Sequence, residues 1–340
     1  MSAVSSLAGA EPSAHHWIAA SAQCSSPVGR VRSVHWGLGA LWVGTDNGLY
    51  EIDANDCCTH RDQVRISSMT DDGEVLWAAE ELGDPLWRLK DDQWSRYNGS
   101  VRSVVAKQVT GRPCYRLWGS RDTFADPEVY DGIPFLHPGE MVLYAGADAA
   151  LWVLYRTDAI YPVVRFDGKG LECWEEADVP ARPLSIAGFP QSSRVWVTGW
   201  SGVSACDDTT WTQVPNSPIG LTDITVDHQD VVWGRDADGG LYSYAGRAWR
   251  RHEVGSVQAL AAAKAHGIWV STSEPSVLLL RDGYATPVGH PVAQSSGSVF
   301  IAADGMGRPW VADDSGVYYL DSPTPVEPVG WGEVKAHLSQ

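Results

Sequence analysis

Leu41-Trp42-Val43-Gly44-Thr45-Asp46-Asn47-Gly48-Leu49-Tyr50 is the stretch that decides the fold. Two short apolar runs flank Asn47-Gly48, a pair that favours the tight turn of a β-hairpin. The first run holds a Trp; the second is Gly-Leu-Tyr. Working outward, the Trp run recurs as Leu76-Trp77-Ala78-Ala79, Leu117-Trp118-Gly119, Leu151-Trp152-Val153 and Val195-Trp196-Val197-Thr198. It continues as Val232-Trp233-Gly234, Ile268-Trp269-Val270-Ser271 and Pro309-Trp310-Val311-Ala312. These eight copies are separated by Trp-to-Trp steps of 35, 41, 34, 44, 37, 36 and 41 residues. A four-stranded propeller blade repeats at roughly 40–50 residues, so the spacing fits.

The flanks of each copy supply the other strands. Before the Trp run comes an alternating, small-residue segment, such as Val31-Arg32-Ser33-Val34 or Leu221-Thr222-Asp223-Ile224, which reads as an inner strand. After it comes Gly-apolar-Tyr, as in Gly240-Leu241-Tyr242 and Gly316-Val317-Tyr318, and then an outer strand that often has its own Trp, at 94, 174, 211 and 249. The expected fold is an all-β propeller of four-stranded antiparallel blades. Eight blades are expected, or seven if the irregular stretch from Cys114 to Glu140 is an insertion. Residues 1–14 read as an N-terminal extension and 15–335 as one propeller domain. The ring can be closed by His16-Trp17-Ile18-Ala19 or by Val329-Gly330-Trp331-Gly332. Pairing either one with the last blade would cover an exposed strand edge.

Composition narrows the partners. The 340 residues include 42 acidic against 25 basic, a formal charge of −17, which argues against nucleic acid or an anionic membrane surface as partner. A hydrophobic content of 44% is enough for a sizeable core and excludes a disordered chain. No run approaches the ~20 apolar residues of a membrane span. Met1 to Ala14 has neither Lys nor Arg nor a continuous apolar run, so a cytoplasmic location is expected. The six Cys lack C-x-x-C spacing and read as buried thiols. The 17 Trp have a packing explanation: each buries ~150–250 Å² and fills the wedge between blades with few rotamers to lose.

Asp-x-x-Gly-x-apolar-Trp, followed by apolar-Gly-Thr and Asn-Gly-Leu-Tyr, resembles the two-component-regulator-type propeller repeat. Leu41–Tyr50 is the best copy, and Asp71-Asp72-Gly73-Glu74-Val75-Leu76-Trp77 is a looser one. The resemblance covers about residues 30–322, although later copies lose the Gly-Thr and the Asn. It implies the fold and says little about function. Virginiamycin-B-lyase-like propellers share the Gly-x-Leu-Trp flavour, but no matching cluster of catalytic His and Glu is found here.

Recognised chemical motifs are absent from the sequence. The ten His show no metal-ligand spacing, and there is neither Gly-x-Ser-x-Gly nor a P-loop. What remains is the set of loops between second and third strands, which the propeller architecture gathers around the channel mouth. They hold Asp46 and Asn47; Asp84; Arg121 and Asp122; Arg156, Thr157 and Asp158; Trp200; Arg235, Asp236 and Asp238; Glu274; and Asp313 with Asp314. Asp in turns caps backbone N–H groups, which explains such residues without any ligand. Alternatively, the carboxylates with Arg156 and Arg235 form a polar pocket for Ca²⁺, Mg²⁺ or a charged partner. The expected contact residues are Arg156, Trp200 and Arg235 on three successive blades, with Asp46, Arg121, Asp158, Asp236 and Asp313 around them. Residues 119–139, with their aromatics and prolines, form a second candidate loop. The reading is a rigid binding module for a protein partner or ligand. A metal-assisted hydrolase or lyase at the channel mouth is the enzymatic alternative, and a carbohydrate-binding propeller a further one.

Overall fold

The computed structural model describes residues 17–20, 29–53, 58–97, 108–109, 112–113 and 141–321, less short connecting stretches such as 81–85, 147–149, 156–161, 274–275 and 314–315. Seven four-stranded antiparallel sheets make up the fold. Blade 1 is Val31–Gly37, Ala40–Thr45, Gly48–Ile52 and Cys58–Asp62; blade 2 is Ile66–Asp71, Leu76–Glu80, Leu86–Lys90 and Gln93–Tyr97. Blade 3 is Met141–Ala145, Leu151–Tyr155, Val163–Phe166 and Leu171–Trp174; blade 4 is Pro183–Gly188, Val195–Gly199, Gly202–Asp207 and Thr210–Gln213. Blade 5 is Leu221–Val226, Val232–Asp236, Leu241–Tyr244 and Trp249–His252; blade 6 is Val257–Ala262, Ile268–Thr272, Ser276–Arg281 and Tyr284–Pro287. Blade 7 is Phe300–Ala303, Pro309–Asp313 and Gly316–Leu320, completed by the N-terminal strand Trp17–Ala19. No helix of the described residues is long and apolar enough to cross a membrane.

The expectation of eight blades is corrected to seven. The inner strand of blade 2 packs directly on that of blade 3, and the Leu143 N–H donates to Ser68 Oγ across that boundary at 2.9 Å. A further blade between them has no room. The copy Leu117-Trp118-Gly119 lies outside the described residues; among the described residues between the two blades, the short strands Gln108–Val109 and Arg112–Pro113 pair with each other.

The ring is closed from the N-terminus. Trp17, Ile18 and Ala19 pair with Leu320, Tyr319 and Tyr318, and Trp17 Nε1 donates to the Val288 carbonyl of the preceding blade at 3.2 Å. The rival strand around Trp331 lies outside the described residues. Apolar clusters sit between blades, as the wedge argument requires. The cluster between blades 3 and 4 joins Trp152, Leu154 and Trp174 to Ile186, Val195 and Cys206. All seven described repeat Trp are at most 8% exposed. Cys206 is a buried thiol.

The turns between inner and Trp strands of blades 3, 5, 6 and 7 share one hydrogen bond. The residue six before the Trp donates its N–H to the carbonyl two before the Trp, in Gly146–Ala150, Asp227–Val231, Ala263–Gly267 and Asp304–Arg308, at 2.8–3.0 Å. Where that residue is Asp, its carboxylate organises the whole turn. Asp304 Oδ1 accepts from the N–H groups of Met306 and Arg308, and Oδ2 from Arg308 Nε and Trp310 Nε1. Asp227 repeats the device, reaching Trp233 Nε1 at 2.9 Å. This is the physical content of the Asp-x-x-x-x-x-Trp spacing: the Asp satisfies buried donors and aims the indole into the wedge.

Candidate functional site

The turns after the Trp strands share one face with the segments that lead into the inner strands, and backbone hydrogen bonds fasten the two. Asp46 N–H donates to Arg30, Trp200 to Ala181 and Ser273 to Ser256, at 2.8–3.0 Å in three separate blades. Bonds also run from blade to blade: Gly220 N–H to the Gly199 carbonyl at 3.1 Å, and Val257 N–H to Gly239 at 2.9 Å. Gly202 shows why the turn after Trp200 needs glycine. Its φ is +120°, and a Cβ there would stand 2.4 Å from Ser217 Oγ, the atom that accepts the Val203 N–H. The inner strands add a repeated irregularity, a register shift near their first residues in blades 1, 2, 4, 5 and 6, on this same face.

The expected contact residues occupy this face in different ways. Trp200 projects from it and is 61% exposed, with the Arg182 guanidinium 5.7 Å from its ring centroid. Arg235 lies within the Trp strand of blade 5, before the turn, paired in register with Asp223 and 3.8 Å from its carboxylate. It therefore sits at a different level from Trp200. Asp236 ties its own turn: Oδ1 accepts from Asp238 and Gly240 N–H, and Oδ2 from the Tyr242 hydroxyl at 3.0 Å. Burial and then this carboxylate raise the Tyr242 pKa above its ordinary value. Asp46 accepts from Arg32 Nε at 2.7 Å, and that hydrogen bond holds its carboxyl below the usual range. Asp313 is 1% exposed, and its Oδ1 accepts the Gly316 N–H at 3.2 Å. Arg121, Arg156 and Asp158, together with Asp84, Asp122, Thr157, Glu274, Asp314 and all of the 119–139 loop, lie outside the described residues.

Two residues the sequence reading passed over belong with Trp200. Ile219, 71% exposed, sits beside Gly220, whose N–H bonds to Gly199 one residue before Trp200. Arg182, at a φ of +46°, comes from the segment leading into the same blade. Both lie in connections between blades, where no strand period marks them; the signal for Ile219 was one apolar residue within Asn216-Ser217-Pro218-Ile219-Gly220. Among the described residues no three His, Cys, Asp or Glu side chains converge as a metal site.

No family model matches the sequence, and no curated protein matches it. Solved structures share the fold. Virginiamycin B lyase from Staphylococcus aureus superposes with a TM-score of 0.63 at 12% identity, over 89% of this chain and 97% of that one. YCF48 bound to D1 peptide gives 0.59 at 13% identity, over 90% and 96%. The extracellular domain assigned to a hybrid two component system of B. thetaiotaomicron gives 0.60 at 14%, over 88% of this chain and 40% of that one. At these identities the common property is the propeller itself. The neighbours thus include a domain of the two-component kind, while the repeat resemblance has no family match behind it.

Proposed function

We propose that this chain is a rigid binding module that presents the face around Trp200 to a protein partner. The observation that carries the reading is an exposed Trp beside an exposed Ile, both on backbone fastened by hydrogen bonds, with an arginine over the indole. Trp and Arg dominate binding energy when a partner desolvates them, and a fixed backbone has little entropy left to lose on binding. Arg156, which follows Trp152 by four residues as Trp200 follows Trp196, extends the contact to blade 3. Arg121 and Asp158 join it there; Arg235, Asp46, Asp236 and Asp313 form the charged surround. YCF48 with its D1 peptide is an instance of this fold engaging a peptide, and supports the reading in general terms.

The test is a comparison of faces. Trp200→Ala with Ile219→Ser should abolish recovery of a partner identified with the wild type, while Met306→Ser, in an exposed turn of the opposite face, should leave it intact. Equal recovery by both variants would place the contact elsewhere. A cation-assisted lyase or hydrolase at the channel mouth is the second reading, drawing on the lyase fold neighbour. A chelator that lowers the melting temperature, with Ca²⁺ or Mg²⁺ restoring it, would favour that one. Quenching of Trp200 fluorescence by a sugar panel would favour the carbohydrate alternative.

A further inference from the structure

A cavity of about 320 Å³ lies between blades 5 and 6, on the face opposite Trp200. Its size is that of a small-molecule site. Val231, Ala245, Ala248 and Trp233 supply an apolar wall. Ser243 Oγ and His252 Nε2, hydrogen-bonded at 2.7 Å, supply a polar floor, and His252 is only 7% exposed. Arg250 from blade 5 and Arg281 from blade 6, both exposed, also line it, with Gln229 and Gly267. One carboxylate, Asp227, also belongs to it, but its oxygens are already engaged by the N–H groups of Gln229 and Val231 and by Trp233 Nε1.

A ligand therefore meets two guanidinium groups, a hydroxyl and an imidazole against an apolar wall. A chain of charge −17 has no general attraction for anions, so two arginines brought to one cavity by separate blades are a local exception. Burial, and then the charge of Arg250, push the His252 pKa down to about 4, so near neutral pH the ring is an uncharged hydrogen-bonding group. We propose that this cavity binds a small organic oxyanion, a phosphate or carboxylate on a compact apolar body. The head group lies between Arg250 and Arg281, and the body rests against Val231 and Trp233. Guanidinium groups suit such heads because their paired N–H donors match two oxygens at once.

Calorimetric titration of the full chain with phenyl phosphate, benzoate and uncharged phenol tests this, and the tighter of the two anions identifies the preferred head. One anion should bind at one site per chain, with phenol at least tenfold weaker. Arg250→Ala should weaken the anion about tenfold, the loss of one charge-assisted contact. Ala248→Phe should do the same with every charge retained, because it fills an exposed position of the cavity wall. Arg251→Ala removes the same charge from the same strand, but its guanidinium lies over the Tyr242 ring, 6.0 Å from the centroid, and Kd should stay within twofold. Equal weakening by Arg251→Ala, phenol binding as well as the anions, indifference to Ala248→Phe, or no saturable binding would each overturn the proposal.

Discussion

Trp152 and Trp200 are the same residue type about one blade apart, with opposite consequences for stability. Trp152 is 2% exposed, stacked on Trp174 at 5.3 Å and edge-on to Trp211 at 6.2 Å. Trp152→Ala should cost about 3–5 kcal/mol in urea unfolding, because the lost contacts leave a cavity between two blades. Trp200→Ala should change stability by no more than about 0.5 kcal/mol, as for other exposed positions. Asp304 is a second case where burial decides. Removing its carboxylate leaves the Trp310 indole and two backbone N–H groups without an acceptor, so Asp304→Ala should cost about 3 kcal/mol. Asp207, half-exposed and paired with Arg194 at 2.6 Å, should lose less than about 1 kcal/mol on the same change.

His252 sets a pH dependence at this scale. In the unfolded chain it titrates near 6.5, whereas in the folded protein it does so near 4. Between these values the unfolded chain binds the extra proton, so its contribution is full above pH 6.5 and falls as the pH drops towards 4. Chemical denaturation at pH 7, 5.5 and 4.5 should show that slope, and His252→Gln should flatten it. An imidazole resonance titrating near 6.5 in the folded protein would contradict the burial argument.

At the scale of elements, the closing strand is the one whose loss is felt everywhere. Deleting residues 1–22 leaves the edge of Gly316–Leu320 unpaired and removes the Trp17 bond to Val288. The melting temperature should fall by on the order of 5–10 °C by calorimetry. An unchanged melting curve would mean that another segment completes blade 7. The elements were legible in the sequence because a wedge of fixed shape demands a large side chain at a fixed strand position. Blade number was not, since Leu117-Trp118-Gly119 satisfies the local pattern although the inner strands of blades 2 and 3 pack directly on each other. Which terminus closes the ring was equally hidden: the pairing of Ile18 with Tyr319 spans the whole chain, and no local pattern encodes it.

For the whole molecule, the two faces divide the candidate chemistry. The Trp200 face was readable in outline, because the repeat places every second-to-third-strand turn on one side. Its details were not, since counting from the Trp treats Arg235 as though it lay in a turn when it is still in a strand beside Asp223. The cavity of the opposite face escaped the sequence reading because its lining comes from strand ends and turns of two different blades, brought together only by the ring.

The pairing of residues 17–19 with 318–320 has a consequence for biosynthesis. A ribosome adding about 5–20 residues each second needs roughly 15–60 s to pass from the first of these strands to the last. During that interval blades 1 to 6 can form in turn, but the strand that seals the seventh must wait beside the growing chain. Its Trp and Ile are then open to chaperones, and to pairing with a neighbouring nascent chain. The latch that secures the finished ring is thus the last contact made, and the step at which a crowded polysome would most readily join two molecules instead of closing one.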